Sequence, residues 1–333
     1  MNLGHTRNMQ MKYSNNLRLV IVSPCYNEEM IIAESSARLY NVIEDLVEKG
    51  KVSDDSLVLF VNDGSLDNSW NEILKANAKY ARVCGLNLAR NVGHQTAILA
   101  GMMNCRTIAD AVVTIDCDLQ DDINAIEQMV DKCIDGADVV CGVKKNRTID
   151  PWYKRRAASL FYDLQYYLGV KTIKNHADFR LLSREALDTL VSYPERNIFL
   201  RGIIPLMGYK VTTIDDVLSP RPEGESKYTL GKQIHLAIDG ITSFTTKPLE
   251  HIFVGGMVMM LIALLMLVYV AISVITGHVI AGWASLMLSL WFIGAIITMG
   301  VGLIGIYIGK IYMEIKQRPV YRVAESVGLQ LSE

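Results

Sequence analysis

The sequence predicts an α/β protein in which a mainly parallel sheet domain is followed by an amphipathic helix and two transmembrane helices. Apolar strand-like segments alternate with longer helix-spaced segments over the first two thirds of the chain. Such alternation is typical of a parallel sheet covered by helices on both faces. A helix-spaced pattern then leads into two long uncharged apolar runs, which predict a membrane region at the C-terminal end.

Five segments have the length and the β-branched, apolar composition of buried strands. They are Arg18–Ser23, Ser56–Val61, Val83–Leu88, Ala111–Ile115 and Ala137–Cys141. In open α/β sheets, ligands bind beyond the carboxyl ends of the strands. The sequence therefore predicts that a binding site lies where these segments end.

The first domain is predicted over residues 17–229, after a flexible N-terminal tail at 1–16 that has no apolar signal-peptide core. Residues 230–250 are predicted to form a juxtamembrane amphipathic helix. Its apolar positions recur at helical spacing, so it either packs on the core or lies in the membrane interface, and we favour the interface.

The region 251–309 contains two apolar runs, 253–275 and 283–309, each longer than the about 20 residues that cross a bilayer. A helical hairpin buried in a soluble domain is the alternative. Basic residues flank the pair of runs, whereas the connector between them has no Lys or Arg. The positive-inside rule therefore predicts a multi-pass protein of the inner (cytoplasmic) membrane, with the first domain, both termini and the tail 310–333 in the cytoplasm.

Composition excludes several classes of function. The 33 Lys and Arg residues nearly balance 35 Asp and Glu residues, so no basic field predicts a nucleic-acid partner. The six cysteines form no CxxC pair and fall in apolar stretches, which favours reduced thiols. Neither GxxxxGK[ST] nor GxGxxG follows a strand, which disfavours kinases, ATPases and dinucleotide-binding enzymes.

Polar residues cluster where four of the predicted strands end, at 23–29, 62–67, 87–94 and 116–122. We interpret Asp67, Asp121 and Asp122 as helix caps. Asp116 and Asp118 are different, because two carboxylates one residue apart repel each other unless a cation or hydrogen bonds stabilise them. Carboxylate oxygens suit Mg²⁺ or Mn²⁺, which often bridge protein oxygens to substrate phosphates. The sequence therefore predicts a metal-assisted diphosphate site.

Six motifs together carry a resemblance to a known family. They are Pro24–Glu29, Val61–Ser65, Asn87–Gly93, the DxD motif Asp116–Asp118, Asp178–Leu182 and Arg221–Tyr228. With them the chain resembles glycosyltransferase family 2, which has the Rossmann-like GT-A fold. Within that family it is similar to the polyprenyl-phosphate glycosyltransferases, among them bactoprenol glucosyltransferase and dolichol-phosphate mannose synthase. The resemblance implies that 17–229 is a GT-A catalytic domain.

The resemblance also implies two groups of residues around a nucleotide sugar. The nucleotide-sugar contacts are expected to be Pro24, Tyr26, Glu28, Asp63 as the base-recognising carboxylate, and Asp116. The Mg²⁺ or Mn²⁺ ion is expected on Asp118 as direct ligand, with Asp116 beside it and Gln120 completing the site.

A third group implied by the resemblance would bind the acceptor phosphate. Arg155 and Ser159 are four apart, hence on one face of a predicted helix, where they either hold a phosphate or form a solvated basic face. Arg221 and Lys227 would bind phosphate from a loop that orders with the donor. Asp178 is the family's candidate base, yet a phosphate monoester has a second pKa near 6 and scarcely needs one. We expect Asp178 to orient the sugar or the acceptor as much as to remove a proton.

The function implied is an inverting transfer of a hexose, with UDP-glucose as the expected donor, to a polyprenyl (undecaprenyl) phosphate at the cytoplasmic membrane face. A different sugar, such as mannose, GlcNAc or an aminosugar, is the alternative. A polysaccharide acceptor is disfavoured because no QxxRW segment follows the DxD motif. A catalytically silent sugar-nucleotide-binding scaffold is a further alternative. The resemblance also implies a homo-oligomer, a tetramer, and a separate flippase.

Overall fold

The computed structural model describes residues 16–144, 167, 176–193, 195, 200–216, 242, 245–276 and 282–329. The chain divides into two compact units. The first comprises Met1–Tyr162, Lys171–Lys227 and Arg318–Glu333, and the second comprises Asp163–Val170 and Tyr228–Gln317. The predicted tail 1–16 lies outside the described residues except for its last residue. Of the predicted amphipathic helix 230–250, residues 242 and 245–250 are described, and its last four residues belong to the long helix Lys247–Ile275.

The first unit contains one sheet and the helices that cover it. Its strands are β1 (Leu19–Cys25), β2 (Leu57–Asn62), β3 (Val83–Leu88), β4 (Ala111–Thr114), β5 (Val139–Lys144), β6 (His176–Ser183), β7 (Val211–Asp216) and β8 (Val323–Val327). Its helices are α1 (Ile32–Glu48), α2 (Ser69–Lys79), α3 (His94–Cys105), α4 (Ala125–Ile134), α5 (Arg184–Val191) and α6 (Leu200–Leu206).

The eight described strands form a sheet of order β7-β5-β6-β4-β1-β2-β3-β8. The pairs β1·β2, β1·β4, β2·β3 and β5·β7 are parallel. The pairs β4·β6, β5·β6 and β3·β8 are antiparallel. The predicted mainly parallel α/β sheet is therefore confirmed, and all five predicted strands are present, with ends that differ by a few residues.

Three strands were not predicted, and β6 matters most for the site. Its side chains alternate between the two faces of the sheet, as in any strand. Phe179 and Leu181 belong to the hydrophobic core, so Asp178 and Arg180 share the opposite face. The polar residues on that face interrupt the apolar run by which a buried strand is recognised.

Helix α3 packs directly on the centre of the sheet, and Gly101 makes this close approach possible. A Cβ atom at Gly101 would lie 2.9 Å from Cγ2 of Val61 and closer still to Cγ1 of Val22. This contact sets the depth of α3 and therefore the position of its first residue, His94, at the carboxyl edge of the sheet.

Two aspartates interpreted as helix caps lie just before the N-cap positions, Asp67 by one residue and Asp122 by two. Asp67 accepts a 3.0 Å hydrogen bond from the backbone of Ser69, and Asp122 accepts one of 3.0 Å from Asn124. The N-cap residues themselves, Asn68 and Asn124, make no capping side-chain bond. The two aspartates stabilise the turns that enter α2 and α4.

The second unit contains two long helices, α7 (Lys247–Ile275) and α8 (Trp283–Lys316). Both predicted runs, 253–275 and 283–309, are thus helical. Among the described residues, one stretch, Phe292–Lys316, is long and apolar enough to cross a membrane, with a mean hydropathy of 2.1.

The segment 310–333, predicted as a tail, contributes to both units. Residues 310–316 continue α8, and Val323–Val327 form β8, an edge strand antiparallel to β3. The chain that follows the apolar helices is therefore part of the sheet that carries the site.

Candidate active site

The loops after β1 and β2 are joined by reciprocal hydrogen bonds. The backbone of Asn27 donates to Oγ of Ser65 at 2.9 Å, and the Asn27 side chain accepts from the backbone of Leu66 at 2.9 Å. Asn27 has a φ of 54°, a left-handed conformation that Asn tolerates better than most residues. The joined loops leave Tyr26 40% exposed and Glu28 half-buried at the edge of the sheet, whereas Pro24 is buried in β1.

Asp63, the residue expected to recognise the base, is buried and already has backbone partners. Its two carboxylate oxygens accept hydrogen bonds from Val92 at 2.7 Å and from Gly93 at 2.9 Å. Burial raises the pKa of Asp63, and these bonds lower it, with a net upward shift. Asp63 therefore anchors the loop that leads into α3, a role that the sequence pattern did not indicate.

The DxD segment after β4 presents its polar side chains together. Cys117 and Leu119 are buried, whereas Asp116, Asp118 and Gln120 are partly exposed. Leu119 has a φ of 48°, a strained conformation for an apolar residue of the kind that clusters at functional sites. The three predicted metal-binding residues are thus the partly exposed members of the segment.

These residues suit a hard divalent cation. They offer two carboxylates and one amide oxygen, the ligand type that Mg²⁺ and Mn²⁺ prefer. The buried amide nitrogen of Gln120 has no hydrogen-bond partner within the described residues, so this amide is not engaged there through its nitrogen. No group of three or more His, Cys, Asp or Glu in the described part of the chain is arranged to hold a metal. An ion held by the two carboxylates and the amide oxygen would need further ligands from substrate or water.

Strand β6 brings Asp178 beside the DxD segment. Thr114 pairs with Arg180 in the antiparallel β4·β6 ladder. Asp178 lies two residues before Arg180 on β6, at the end of the ladder where the chain leaves β4 toward Asp116. The hydroxyl of Thr114 donates a 2.5 Å hydrogen bond to the backbone oxygen of Asp178, which fixes the start of the pairing.

Asp178 is 8% exposed and is surrounded by cationic groups. Its two oxygens accept hydrogen bonds from Nη2 of Arg201 at 2.9 Å and from Nε of Arg201 at 3.2 Å, and the buried Arg180 donates a further one. Burial raises the pKa of Asp178, but His94 and the two guanidinium groups lower it well below its usual range. Asp178 is therefore an ionised carboxylate that holds cations and is a poor proton acceptor.

His94 lies between the two carboxylates. Its Nε2 is 3.4 Å from Oδ1 of Asp116 and 3.5 Å from Oδ2 of Asp178. Partial burial lowers the pKa of His94, but the hydrogen bond to Asp178 and the charge of Asp116 shift it above its ordinary value. The imidazole thereby connects the DxD segment with Asp178.

Gln95 connects α3 with α6. Its Oε1 accepts a 2.9 Å hydrogen bond from the backbone of Leu200, the first residue of α6, and its Nε2 lies 3.5 Å from Asp178. Arg201 follows Leu200. Sequence reasoning noted His94 only as the end of a polar segment and missed Gln95 and Arg201, because nothing in the local pattern indicates their proximity to Asp178.

The structure thus brings together Asp116, Asp118, Gln120 and Asp178 at one edge of the sheet, and Pro24, Tyr26, Glu28 and Asp63 at the ends of β1 and β2. The predicted acceptor residues Arg155, Ser159, Arg221 and Lys227 lie outside the described residues.

Comparison with known proteins identifies the family. Residues 20–191, more than half of the chain, match the Glycosyl transferase family 2 domain. The chain belongs to glycosyltransferase family 2. The α/β unit with its mainly parallel sheet is accordingly the GT-A fold expected of this family, and the protein is a glycosyltransferase by descent.

Relatives that align with nearly the whole of this family 2 chain include two bacterial proteins named as glycosyltransferases. An uncharacterised glycosyltransferase of Bacillus subtilis, YkoT, is 43% identical, over 92% of this chain and 90% of that protein. The SfII prophage-derived bactoprenol glucosyl transferase of Shigella flexneri is 34% identical, over 93% of this chain and 98% of that protein.

Among solved structures, glucosyl-3-phosphoglycerate synthase from Mycobacterium tuberculosis in complex with phosphoglyceric acid matches with a TM-score of 0.44 and 19% identity. The match covers 68% of this chain and 79% of that chain. A likeness of this size supports no statement about ligands.

Proposed function

We propose that this family 2 glycosyltransferase transfers a hexose from a nucleotide sugar to a polyprenyl phosphate at the cytoplasmic face of the membrane, with inversion at the anomeric carbon. UDP-glucose is the proposed donor and undecaprenyl phosphate the proposed acceptor. The observation that carries the proposal is the placement of Asp116 beside His94 and Asp178 at the edge of the sheet. The relatives named bactoprenol glucosyl transferase support the choice of sugar and acceptor.

The donor is proposed to lie over the ends of β1, β2 and β4. Tyr26 offers an exposed ring, and Glu28 and Asp63 offer carboxylates, beside the buried Pro24. Each oxygen of Asp63 retains a second lone pair after its backbone bond and can accept a hydrogen bond from the base. Asp116 would contact the ribose. Mannose, GlcNAc and an aminosugar are the alternatives to glucose.

Asp118, with Asp116 and Gln120, would hold Mg²⁺ or Mn²⁺. A bound ion neutralises the charge that develops on the nucleoside diphosphate as it leaves. Asp118 also receives a 3.3 Å hydrogen bond from the backbone of Gln120, which orients its carboxylate.

In the proposed reaction, an oxygen of the acceptor phosphate attacks the anomeric carbon. The bond from that carbon to the diphosphate oxygen breaks, and the nucleoside diphosphate leaves with the electron pair. The acceptor oxygen is already ionised at neutral pH, so no side chain has to remove its proton. Asp178, whose pKa lies well below its usual range, would orient the groups around it instead. Arg155, Ser159, Arg221 and Lys227 are proposed to bind the acceptor phosphate.

The membrane helices are proposed to be two spans, 253–275 and 283–309, that keep the catalytic domain and both termini in the cytoplasm. The Phe292–Lys316 stretch supports the membrane assignment. A polyprenyl phosphate presents its head group at the bilayer surface. An enzyme anchored in the same membrane therefore encounters this acceptor by lateral diffusion. A homo-tetramer and transfer of the product to a separate flippase complete the proposal.

The test uses the full-length chain in nanodiscs with undecaprenyl phosphate, a panel of nucleotide sugars and Mg²⁺ or Mn²⁺, with mass spectrometry of the lipid. The expected result is undecaprenyl-phosphate-hexose, formed fastest from UDP-glucose and abolished by a chelator. Absence of a lipid-linked sugar with every donor would overturn the proposal. Nucleotide-sugar binding without any transfer would favour the scaffold instead.

A further inference from the structure

Asp216, the last residue of β7, is a fully buried acidic residue that contacts the chain just after the DxD motif. Its Oδ1 accepts a 3.0 Å hydrogen bond from the backbone of Asp122. Asp122 in turn accepts a 3.0 Å hydrogen bond from the backbone of Asn124, the N-cap residue of α4. The end of β7 is therefore tied to the residues that leave the DxD segment and enter α4.

The second oxygen of this carboxyl group is unmatched. Oδ2 of Asp216 is buried and has no hydrogen-bond partner within the described residues. A buried polar atom without a partner is costly, above all when it belongs to an ionisable group. The backbone N–H of Asp122 needs only one acceptor, which the uncharged side chain of an asparagine would also provide. The bond to Asp122 alone therefore does not account for an aspartate at this position.

A complementary group belongs to Gln120, two residues before Asp122. Its Nε2 is also buried, and it too lacks a partner in the described part of the chain. Cα atoms two residues apart lie within about 7.6 Å of each other, so the long side chain of Gln120 starts close to the residue that Asp216 holds. An amide N–H₂ group donates and a carboxylate oxygen accepts. The same region thus contains a buried donor and a buried acceptor that are not joined to each other.

The backbone between the DxD motif and Gln120 is strained as well. Leu119 has a φ of 48°. Strained backbone is found at ligand clamps and switch regions, and a buried polar atom without a partner in a native structure requires an explanation. A role in folding alone would favour a segment whose buried groups are all matched. The strain and the two unmatched atoms together indicate a segment that is completed by a ligand.

We propose that Asp216 is a positioning residue for the metal site. In the state with metal and nucleotide sugar bound, Oδ2 of Asp216 accepts a hydrogen bond from Nε2 of Gln120, and this bond directs the amide oxygen of Gln120 to the ion. Asp216 acts through Gln120 and does not itself touch the substrate. The inference rests on the proposed function and deepens it, because it names the residue that makes Gln120 a ligand.

The first experiment measures the binding of Mn²⁺ in the presence of UDP by calorimetry, with the full-length chain in nanodiscs. In Asp216→Asn the side chain keeps an acceptor for Asp122, but it places an N–H₂ group where Gln120 needs an acceptor. Loss of a hydrogen bond to a charged group predicts that the Kd for Mn²⁺ rises about tenfold. Asp135→Asn, which removes a carboxylate at the exposed far end of α4, is the control and should bind like the wild type.

Melting temperatures without metal separate this role from a purely structural one. An Asp216→Asn protein that melts at a lower temperature but has the wild-type Kd for Mn²⁺ would show that Asp216 only stabilises the fold, and would overturn the inference. If Asp216→Asn does not fold, then Gln120→Met, which keeps the length of the side chain without its amide, gives the result. Its Kd should rise by a similar factor, and an unchanged Kd would overturn the inference.

A double-variant cycle tests whether Asp216 acts through Gln120. If it does, Asp216→Asn combined with Gln120→Met should raise the Kd for Mn²⁺ no further than Gln120→Met alone. Increases that multiply in the double variant would show that the two residues act independently, and would overturn the inference.

The calorimetric readout needs no sugar transfer, so it separates this inference from the proposed function. A wild-type chain that binds Mn²⁺ with UDP, and binds it more weakly after Asp216→Asn, but forms no lipid-linked sugar refutes the proposed function alone. A wild-type chain that binds no Mn²⁺ in the presence of UDP would overturn the inference itself.

Discussion

The indole nitrogen of Trp70 donates a 2.9 Å hydrogen bond to Oε2 of Glu325, across 255 positions of the chain. Glu325 lies in β8, which pairs with β3 and closes one edge of the sheet. Just before β8, the backbone oxygen of Arg322 accepts a 2.9 Å hydrogen bond from Ala89, at the start of the loop that Asp63 anchors. The segment around β8 therefore supports the loop that Asp63 anchors, where the donor is proposed to bind.

Truncation after Tyr321 should therefore weaken both the fold and the site. It exposes the edge of β3 and removes the partner of Ala89, so we expect a lower melting temperature and a higher KM for the nucleotide sugar. Scanning fluorimetry and initial rates measure the two effects. Glu325→Gln, which retains an acceptor for Trp70, is the control and should stay close to wild type. An unchanged donor KM in a folded truncated protein would contradict the link to the site.

The proposed metal site predicts that Asp118→Asn reduces transfer by about a hundredfold, since loss of a charged ligand lowers the occupancy of an ion that acts on the leaving group. The variant should also need more Mn²⁺ for half-maximal activity. Metal titration of the initial rate measures both. Asp135→Asn, at an exposed position after α4, is the control. Activation by Mn²⁺ with the wild-type midpoint would show that Asp118 is not a ligand.

His94 should matter because it bridges Asp116 and Asp178. His94→Phe removes both contacts and is expected to lower kcat about tenfold or more, as for the loss of hydrogen bonds to charged groups. His94→Gln keeps a donor and should retain more activity. His251→Gln, in the second unit, controls for loss of an imidazole. Equal kcat for His94→Phe and the control would exclude the bridge from the reaction.

The lowered pKa of Asp178 predicts the pH range in which this residue contributes to stability. A depressed carboxyl pKa gives a contribution that is complete above the unfolded-state value of about 3.9 and is lost as the pH falls through the folded-state pKa. Because Asp178 also raises the pKa of His94, the comparison is made in a His94→Gln background: the difference in melting temperature between His94→Gln and the double variant His94→Gln/Asp178→Asn should be constant from pH 8 to about pH 5 and shrink only in stronger acid. A difference that vanishes between pH 6 and 8 would instead indicate a group that titrates like a general base.

The close packing of α3 predicts a strong effect of a small substitution. Gly101→Val would press its side chain against Val22 and Val61, so α3 must shift. Overpacking of this kind costs about 1 to 3 kcal/mol and should lower the melting temperature and the activity together, because α3 carries His94. Thr107→Val, at an exposed position just beyond α3, is the control. A stable Gly101→Val protein would show that the contact with β1 is not tight.

Local sequence patterns were sufficient to predict much of this fold. Five apolar, β-branched segments predicted β1 to β5, and parallel strands place their carboxyl ends at one edge, so the positions of Asp63, Asp116 and Asp118 followed from the order of elements. The length of the two apolar runs likewise predicted that both are helical. These features depend on neighbours along the chain, which the sequence displays directly.

The partners of Asp178 were decided only by the tertiary structure. Its contact with the DxD segment depends on the insertion of β6, antiparallel, between β4 and β5, with a register that pairs Thr114 with Arg180. Its bond to Arg201 depends on where α6 begins. Strand order, strand direction and register result from packing over the whole sheet. No local stretch of sequence contains that information, which is why Asp178 was recognisable from the sequence while the cations that determine its chemistry were not.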